Sequence, residues 1–317
     1  MLQASHSAPQ ISARSGLEAR LARRRAIEAQ HHLGPNAHGH GDFALNHERF
    51  FAWGVKTALR VTGLYQRGRA NALDPVVREF QFQFEDLPPA LQGFRILHLS
   101  DFHIDGIDGL AEILAERLRF FPVDVCVMTG DYRFDVRGPC DAVYPRMQRI
   151  LHAVRSRHGV FGILGNHDCA DIAIGLEALG VRMLINESAT IGPPQSPVSV
   201  IGVDDPHFYG CDDLREASRG VPPHAFRLLL SHTPEMYDEA AKAGIDLYLS
   251  GHTHAGQVRL PAIGAVMQLA ECPRAFAFGH WRHQRMQGYT TAGAGCSLLP
   301  VRFNCPPEIV VIELART

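Results

Sequence analysis

Six short apolar segments, each the length of a single β-strand and rich in Val, Ile and Leu, recur along the chain between residues 94 and 250. Helical stretches, such as IDGLAEILAERLRFF and DAVYPRMQRILHAVRS, separate several of them. Strands that alternate with helices form sheets whose faces those helices cover. The pattern therefore predicts an α/β fold with buried sheets.

Five of these segments end in side chains that can bind a metal ion. The residues that follow them are, in chain order, Asp101 with His103, Asp131, Gly-Asn-His-Asp at 165–168, His232, and Gly-His-Thr-His at 251–254. In open α/β sheets, ligands bind beyond the carboxyl ends of the strands. We therefore expect all five sets of side chains to meet at one edge of the sheets.

The local spacing supports this expectation. Side chains alternate along an extended segment, so His252 and His254 are expected to point the same way and to reach one site. A glycine precedes the polar residues in three cases, at Gly130, Gly165 and Gly251, and allows a sharp turn and a close backbone approach. A single Gly-Asp pair is usually only a turn. The specific signal is the complete ordered set.

The residue types indicate which metals the site prefers. Carboxylate, amide oxygen and imidazole form a mixed set of ligands that favours Mn, Fe or Zn over Mg or Ca. No cysteine belongs to the set, which argues against a structural zinc site with thiolate ligands. These ligands suit two divalent metal ions, and such a pair binds phosphate and lowers the pKa of a shared water.

The ordered motifs DFH, GD, GNHD, the His of LSHTP, and GHTH resemble the pattern of the calcineurin-like metallophosphoesterases. The resemblance covers roughly residues 94–315. It implies a four-layer αββα sandwich with the site at the rim of two facing sheets. It also implies a metal-dependent hydrolase of phosphoric esters or pyrophosphates, in which a hydroxide shared by two metals attacks phosphorus.

The resemblance further implies a role for each matching residue. Carried onto this chain, one metal is held by Asp101, His103 and His254, the other by Asn166, His232 and His252, and Asp131 bridges the two. His167 corresponds to the histidine that contacts phosphate and assists the leaving group, and Asp168 orients it.

Differences from the motifs of one branch and similarities to those of another indicate which branch of the family this chain resembles. Protein phosphatases of this superfamily carry Gly-Asp-x-Val-Asp-Arg-Gly and Gly-Asn-His-Glu, whereas this chain has GDYRFDVRG and GNHD. LSDFH, GHTHAGQV and the tail AGAGCSLLPVRFNCPPEIVVIEL are similar to a bacterial branch linked to membranes, to UDP-2,3-diacylglucosamine pyrophosphatase activity and to lipid A biosynthesis. UDP-2,3-diacylglucosamine or a similar lipid-linked nucleotide is therefore the expected substrate. The alternatives are a broad-specificity or cyclic-nucleotide phosphodiesterase and a non-catalytic metal-binding scaffold.

The amino-terminal part differs in composition from the rest, which predicts two regions, residues 1–69 and 70–317. Residues 1–69 carry ten Lys and Arg against four Asp and Glu, so their formal charge is about +6, while the remainder carries about −8. A helix is predicted at 16–30, a linker at 31–42 and a basic amphipathic helix within 48–69. Two interpretations of the last helix stay open: contact with an anionic membrane surface, or packing against its own catalytic domain.

The cysteine content, the length of the apolar segments and the net charge indicate the cellular location and the class of partner. Seven scattered cysteines without CxxC spacing fit a reducing compartment. No segment has the length of a membrane span or the apolar core of a secretory signal, so we expect a cytoplasmic protein, peripheral on the inner face of the membrane if the basic helix binds there. The formal net charge of −2 argues against a nucleic-acid partner. Nothing predicts the oligomeric state.

Two other segments are candidates for walls of the site. Residues 204–224 include His207, Phe208 and Tyr209, and a solvated surface loop is favoured over substrate contact. Arg302 lies in the carboxyl-terminal tail, where packing is favoured over contact with an anion.

Overall fold

Two six-stranded β-sheets pack face to face in the computed structural model, which describes residues 16–31, 53–265 and 270–317. The strands, in chain order, are β1 (Val76–Phe84), β2 (Arg95–Leu99), β3 (Val125–Met128), β4 (Val160–Gly162), β5 (Val181–Met183), β6 (Glu187–Ile191), β7 (Val198–Gly202), β8 (Phe226–Leu230), β9 (Leu247–Ser250), β10 (Arg259–Leu260), β11 (Gly264–Ala265), β12 (Gly279–His283), β13 (Met286–Thr290) and β14 (Glu308–Arg316). All six predicted apolar segments form strands.

Helices lie between several of these strands, as the sequence pattern indicated. They are α1 (Leu17–His31), α2 (53–61), α3 (Leu64–Ala72), α4 (Leu110–Leu118), α5 (Val143–Ala153), α6 (Ala170–Ala178), α7 (Leu214–Ala217) and α8 (Tyr237–Lys242). Helices α4, α5 and α6 connect β2, β3, β4 and β5, and each of these strands is parallel to the next.

The strand order explains why the ends of several strands meet. The first sheet has the order β1-β14-β2-β3-β4-β5, and the second has the order β12-β13-β9-β8-β7-β6. Strands β7, β8, β9 and β13 are parallel to one another in the second sheet. Parallel strands end at the same edge of a sheet, so the residues after β2, β3 and β4 and those after β8 and β9 form two rows.

Three apolar layers hold the sandwich together. In β2, Ile96 faces the core between the two sheets, while Leu97 and Leu99 face the core under α4 and α5. A third cluster packs α7 and α8 on the outer face of the second sheet. Alternating side chains of each strand thus enter opposite layers, as the pleat requires. The four-layer αββα sandwich is confirmed.

The amino-terminal region is only partly as expected. The predicted helix at 16–30 is α1, and its Leu17 and Leu21 enter the core of the first sheet. Residue 31, the first of the predicted linker, ends α1. The rest of the linker, 32–42, and residues 48–52 lie outside the described residues. The predicted continuous helix is instead divided into α2 and α3 at Gly63, which has φ 73°. The proposed boundary between residues 69 and 70 falls within α3, and the division into two regions stays a prediction.

None of the helices in the described part of the chain is long and apolar enough to cross a lipid bilayer.

Candidate metal centre and active site

Asp101, His103 and His254 form what we call the first ligand group, at the carboxyl ends of β2 and β9. Their ligand atoms lie within 4.8 Å of one another, and all three side chains are buried. Nε2 of His103 is 3.1 Å from Nε2 of His254, which is 3.4 Å from Oδ1 of Asp101. The backbone N–H of His252 donates to both oxygens of the Asp101 carboxylate at 3.0 Å and so holds it in place.

Asn166, His232 and His252 form the second ligand group, which follows β4, β8 and β9. Oδ1 of Asn166 is 2.9 Å from Nε2 of His232 and 2.9 Å from Nδ1 of His252. Asp131, after β3, lies between the two groups. Its Oδ2 is 3.3 Å from Nε2 of His232 and 3.6 Å from Nε2 of His103. The fold therefore brings together all seven residues that the sequence singled out.

Hydrogen bonds behind the rings direct nitrogen lone pairs into the site. Nδ1 of His103 lies 2.8 Å from the carbonyl oxygen of Arg133, and Nδ1 of His232 lies 2.7 Å from that of Thr129. A carbonyl oxygen only accepts, so each Nδ1 donates its proton and Nε2 of the neutral ring keeps a lone pair. Metal-ligating histidines typically make such outward hydrogen bonds.

The separations also fit a cation. Two ligand atoms bound at right angles to one ion, each at about 2.1 Å, lie about 3 Å apart. The distances of 2.9–3.4 Å within the two ligand groups match this value. The donor sets of both groups therefore fit divalent metal ions.

The protonation states of the site residues also favour a bound cation. Burial lowers the pKa of His103 to about 3 and that of His254 well below its ordinary value, so both rings are neutral. Burial raises the pKa of Asp101 to about 6. Burial alone would lower the pKa of His232, but the charge and hydrogen bond of Asp131, together with the charges of Asp101 and Asp205, outweigh it and raise the pKa to about 10. Protonated His232 thus balances buried carboxylates, and a bound cation would replace that proton.

Most of the candidate ligands have a left-handed backbone, which residues other than glycine rarely adopt. The φ values are 51° at Asp101, 39° at His103, 57° at Asp131, 68° at His252 and 48° at His254. Strain of this kind costs on the order of 1–3 kcal/mol per residue and clusters at active sites. The surrounding fold therefore stabilises a backbone that local preference opposes.

The predicted reason for the convergence of His252 and His254 is wrong. Strand β9 ends at Ser250, and a 3₁₀ turn at His254–Gly256 follows. Because both histidines have positive φ, the segment is not extended, and their rings enter different ligand groups. A tight turn, rather than strand alternation, places both imidazoles in the site.

Two glycines leave the space that these contacts need. A Cβ at Gly165 would collide with the carboxylate of Asp131, and a Cβ at Gly251 would collide with the carboxylate of Asp101 and the hydroxyl of Ser100. The predicted close approach of the backbone is confirmed at both positions.

His167 borders the first ligand group, and its ring centroid is 4.7 Å from that of His103. The carbonyl oxygen of Phe134, 2.6 Å away, accepts a hydrogen bond from Nδ1 of His167. The Asp168 carboxylate instead accepts the backbone N–H groups of Asp131, Tyr132 and Gly165 at 2.8–2.9 Å. The expected direct orientation of His167 by Asp168 is therefore corrected. Phe134 fixes the ring, while Asp168 fixes the backbone loop.

The sequence did not indicate two arginines beside the site. Arg133 is buried, and its Nε donates to the carbonyl oxygen of His167 at 2.5 Å. Arg24 comes from α1, is fully buried, and donates to the carbonyl oxygen of Asp168 at 2.7 Å. The helical spacing of Leu17, Leu21 and Arg24 was visible in the sequence. An arginine in the basic run 23–25 is, however, no specific signal for burial.

The loop after β7 is more buried than predicted. Phe208 and Tyr209 are buried, so the prediction of a solvated loop is wrong at these positions. The ring centroid of His207 is 4.6 Å from that of His252, and its Nδ1 is 2.9 Å from Oε1 of Glu235. This pair forms one wall of the second ligand group.

Arg302 is fully buried beside the first ligand group. Its Nη2 donates to the carbonyl oxygen of Ala292 at 2.7 Å and lies 3.3 Å from Nδ1 of His254. The burial of Arg302 and its contacts with backbone carbonyl groups fit the interpretation of Arg302 as a packing residue.

Comparisons with known proteins agree with this geometry. The model of the calcineurin-like phosphoesterase family matches residues 94–256. The chain is 30% identical over 236 residues to the phosphodiesterase YaeI of Escherichia coli (strain K12), covering 70% of this chain and 82% of that protein. It is 27% identical over 263 residues to the uncharacterized metallophosphoesterase YkoQ of Bacillus subtilis (strain 168), covering 79% of this chain and 94% of that one.

A solved structure is also similar. The calcineurin-like phosphoesterase YfkN from Bacillus subtilis has a TM-score of 0.38 and 15% identity, over 51% of this chain and 72% of that chain. From the family match and the E. coli relative, this chain belongs to the calcineurin-like phosphoesterase family of metal-dependent phosphoester hydrolases.

Proposed function

We propose that the protein hydrolyses a phosphodiester or pyrophosphate bond with two divalent metal ions, one in each ligand group. The position of Asp131 carries this proposal. A single oxygen, Oδ2, faces Nε2 of His103 in the first group and Nε2 of His232 in the second. A carboxylate oxygen within reach of both groups suits a ligand shared by two ions, and paired metals are typical of hydrolytic phosphate chemistry.

The ligand types support Mn, Fe or Zn as the bound ions. Asp101 and Asp131 supply carboxylate oxygens, Asn166 supplies an amide oxygen, and the four histidines supply nitrogen. When bound, such ions activate water as a nucleophile and neutralise phosphate oxygens. The residues of the chain then have to orient the substrate and move a proton.

His167 is the residue we assign to the leaving group. Its Nδ1 donates to the carbonyl oxygen of Phe134, so Nε2 is the ring nitrogen that can face a bound phosphate, and the side chain lies within reach of His103 and Asp131. In the protonated ring, Nε2–H would donate a proton to the departing oxygen, a contribution of order 10²–10⁴-fold in rate. Asp168 supports this step indirectly, because it fixes the loop that carries His167.

A lipid-linked nucleotide, with UDP-2,3-diacylglucosamine as the best candidate, is the substrate we propose. Trp53 and Val61 on α2 and Leu64 on α3 are exposed apolar side chains at 63%, 84% and 41% of their surface, and exposed Arg60 and Arg67 lie nearby in the chain. Apolar and basic side chains together favour an anionic membrane surface, here the inner face.

Helix α3 is hydrogen-bonded to a residue beside the first ligand group. Nδ2 of Asn71 on α3 donates to the carbonyl oxygen of Arg302 at 2.8 Å, and the Arg302 guanidinium lies beside His254. A substrate whose acyl chains stay in the membrane would therefore present its phosphates to a nearby site.

A substrate panel on metal-loaded protein tests the proposal. Hydrolysis of UDP-2,3-diacylglucosamine at a kcat/KM at least tenfold above that for cyclic nucleotides and simple phosphomonoesters is expected. Comparable turnover of bis-p-nitrophenyl phosphate and cyclic nucleotides would instead identify a broad-specificity phosphodiesterase. Bound metal without any hydrolysis would indicate a non-catalytic scaffold.

A further inference from the structure

The face that α1 turns toward the catalytic core combines apolar and charged residues. Leu17, Leu21, Arg24 and Glu28 recur three or four residues apart, which places them on one side of the helix. Leu17 and Leu21 enter the apolar core, whereas Arg24 has no exposed surface. A charged side chain is rarely buried unless its environment compensates for the lost water.

The partners of Arg24 belong to the active site. Its guanidinium pairs with Asp204 and stacks on the ring of Tyr209, with Cζ 3.7 Å from the centroid. Nη2 donates to the carbonyl oxygen of Gly165 and, at 2.7 Å, to that of Asp168. Arg24 thus donates hydrogen bonds to both ends of the four-residue loop 165–168.

That loop carries the side chains on which the proposed chemistry depends. Asn166 of the second ligand group and His167 lie between the two carbonyl groups that Arg24 holds. The N–H of Gly165 is bound from the other side, by the Asp168 carboxylate at 2.8 Å. Asn166 and His167 are therefore held between two fixed points of the backbone.

Glu28, a second residue of α1, binds the backbone at the start of α6, which follows this loop. Oε1 of Glu28 accepts a hydrogen bond from the N–H of Ala170 at 2.8 Å. Ala170 is the first residue of α6, and Cys169 at its N-cap makes no side-chain capping bond. Glu28 thus satisfies a backbone donor that the first turn of a helix leaves open.

The charge pair alone does not explain this arrangement. Burial by itself would lower the pKa of Arg24, but Asp204, Tyr209, Asp205 and Asp168 together outweigh it and raise the pKa, so the guanidinium stays charged. A residue serving only stability needs no more than Asp204 and apolar packing. The other N–H groups of Arg24 instead donate to the carbonyl groups of Gly165 and Asp168.

We infer that Arg24 is a positioning residue of the active site: through the carbonyl groups of Gly165 and Asp168 it fixes Asn166 for metal binding and His167 for proton transfer. This inference rests on the proposed function. It makes the amino-terminal helix part of the catalytic apparatus.

Arg24→Met in the full chain tests the inference, with Arg23→Met as the matched control because Arg23 is exposed on the same helix. A misplacement of about 1 Å costs on the order of 10²-fold in rate, so kcat of Arg24→Met should fall about 100-fold while KM changes little. Arg23→Met should retain wild-type kcat. Equal kcat in both variants would overturn the inference.

Loss of Arg24 also leaves Asp204 buried without its counter-charge, which can unfold the protein. The double variant Arg24→Met/Asp204→Asn removes both charges and should recover the Tm of the wild type more fully than the single variant. Its kcat should remain low, because the guanidinium that donates to the carbonyl groups of Gly165 and Asp168 is still missing. Recovery of kcat together with Tm would mean that Arg24 contributes stability alone.

Metal binding separates failure of the inference from failure of the proposed function. Titration calorimetry with Mn²⁺ should show affinity at one of the two sites weakened about 10–100-fold in Arg24→Met and in the double variant, since Asn166 is displaced. Unchanged affinity at both sites in an active enzyme contradicts the inference. Weakened affinity in a protein that hydrolyses none of the substrates would retain the inference for Asn166 and remove the proposed function.

Discussion

Nδ1 of His167 lies 2.6 Å from the carbonyl oxygen of Phe134, so the backbone after β3 sets the orientation of the histidine that follows β4. These strands are neighbours in the first sheet. The residue proposed for proton transfer is thus oriented by an adjacent loop, and not by a side chain of its own motif.

Replacement of His167 by Ala should separate chemistry from metal binding. His167 belongs to neither ligand group, so metal content should stay at the wild-type level, while kcat should fall 10²–10⁴-fold with the loss of a general acid. Elemental analysis and steady-state kinetics measure the two effects. His224→Ala, at an exposed histidine, is the control. An unchanged kcat for His167→Ala excludes the proposed role.

Asp131→Ala should instead lower the metal content. Its Oδ2 faces both ligand groups, so its removal should lower occupancy at both sites from about two ions per chain to below one. Elemental analysis after gel filtration measures this change. Asp108→Asn changes an exposed acid and should keep the wild-type content. Loss of only one ion from Asp131→Ala would contradict a shared ligand.

Gly251→Ala should disturb the first ligand group. The added methyl group meets the carboxylate of Asp101, which must move, and a shift of about 1 Å costs on the order of 10²-fold in rate. The measurement is kcat at saturating Mn²⁺. Gly54→Ala on α2, where a Cβ meets nothing within 4 Å, should leave kcat unchanged. Full activity of Gly251→Ala would show that the carboxylate position is not critical.

His98 in β2 should make the metal-free protein sensitive to acid. Burial lowers its pKa from 6.5 to about 3, so the folded state binds the proton less readily than the unfolded chain. The stability that neutral His98 contributes is complete above about pH 6.5 and is lost as the pH falls toward 3. Between pH 7 and pH 4.5 the loss from this residue should be about 2–3 kcal/mol.

The variant His98→Gln isolates this effect, because the amide can keep the hydrogen bond that Nε2 makes with Oγ1 of Thr129 but cannot titrate. Urea unfolding at both pH values, with a chelator present, should give a drop in free energy that is smaller by about 2–3 kcal/mol in the variant. Identical drops in the two proteins would rule out His98 as the cause.

The exposed apolar residues of α2 and α3 should bind anionic vesicles. Trp53→Ser/Val61→Ser/Leu64→Ser should reduce co-sedimentation with phosphatidylglycerol vesicles at least about tenfold, because buried apolar area drives such binding. Phe120→Ser is the control, since Phe120 is 65% exposed but precedes β3, at the opposite end of the strand from the site. Equal binding of both variants would remove the membrane proposal.

The sequence by itself determined the alternation of strands and helices and the presence of metal-binding side chains after five apolar runs, while the family resemblance of its motifs implied the sandwich and the seven residues of the two ligand groups. Apolar runs of strand length report burial directly, and polar residues at their ends have no packing role, so both signals are local. The residues from Asp101 to His254 could therefore be named without knowing which strands are neighbours.

Only the tertiary structure decided how these residues are held. The left-handed turns at His252 and His254 oppose local preference, so no pattern of alternation could predict them. The contacts of His167 with Phe134, and of Arg24 with Gly165 and Asp168, join segments that are distant in sequence. Backbone carbonyl groups make these bonds, and every residue has one. Their partners are consequently set by the packing of sheets and helices, and not by residue type.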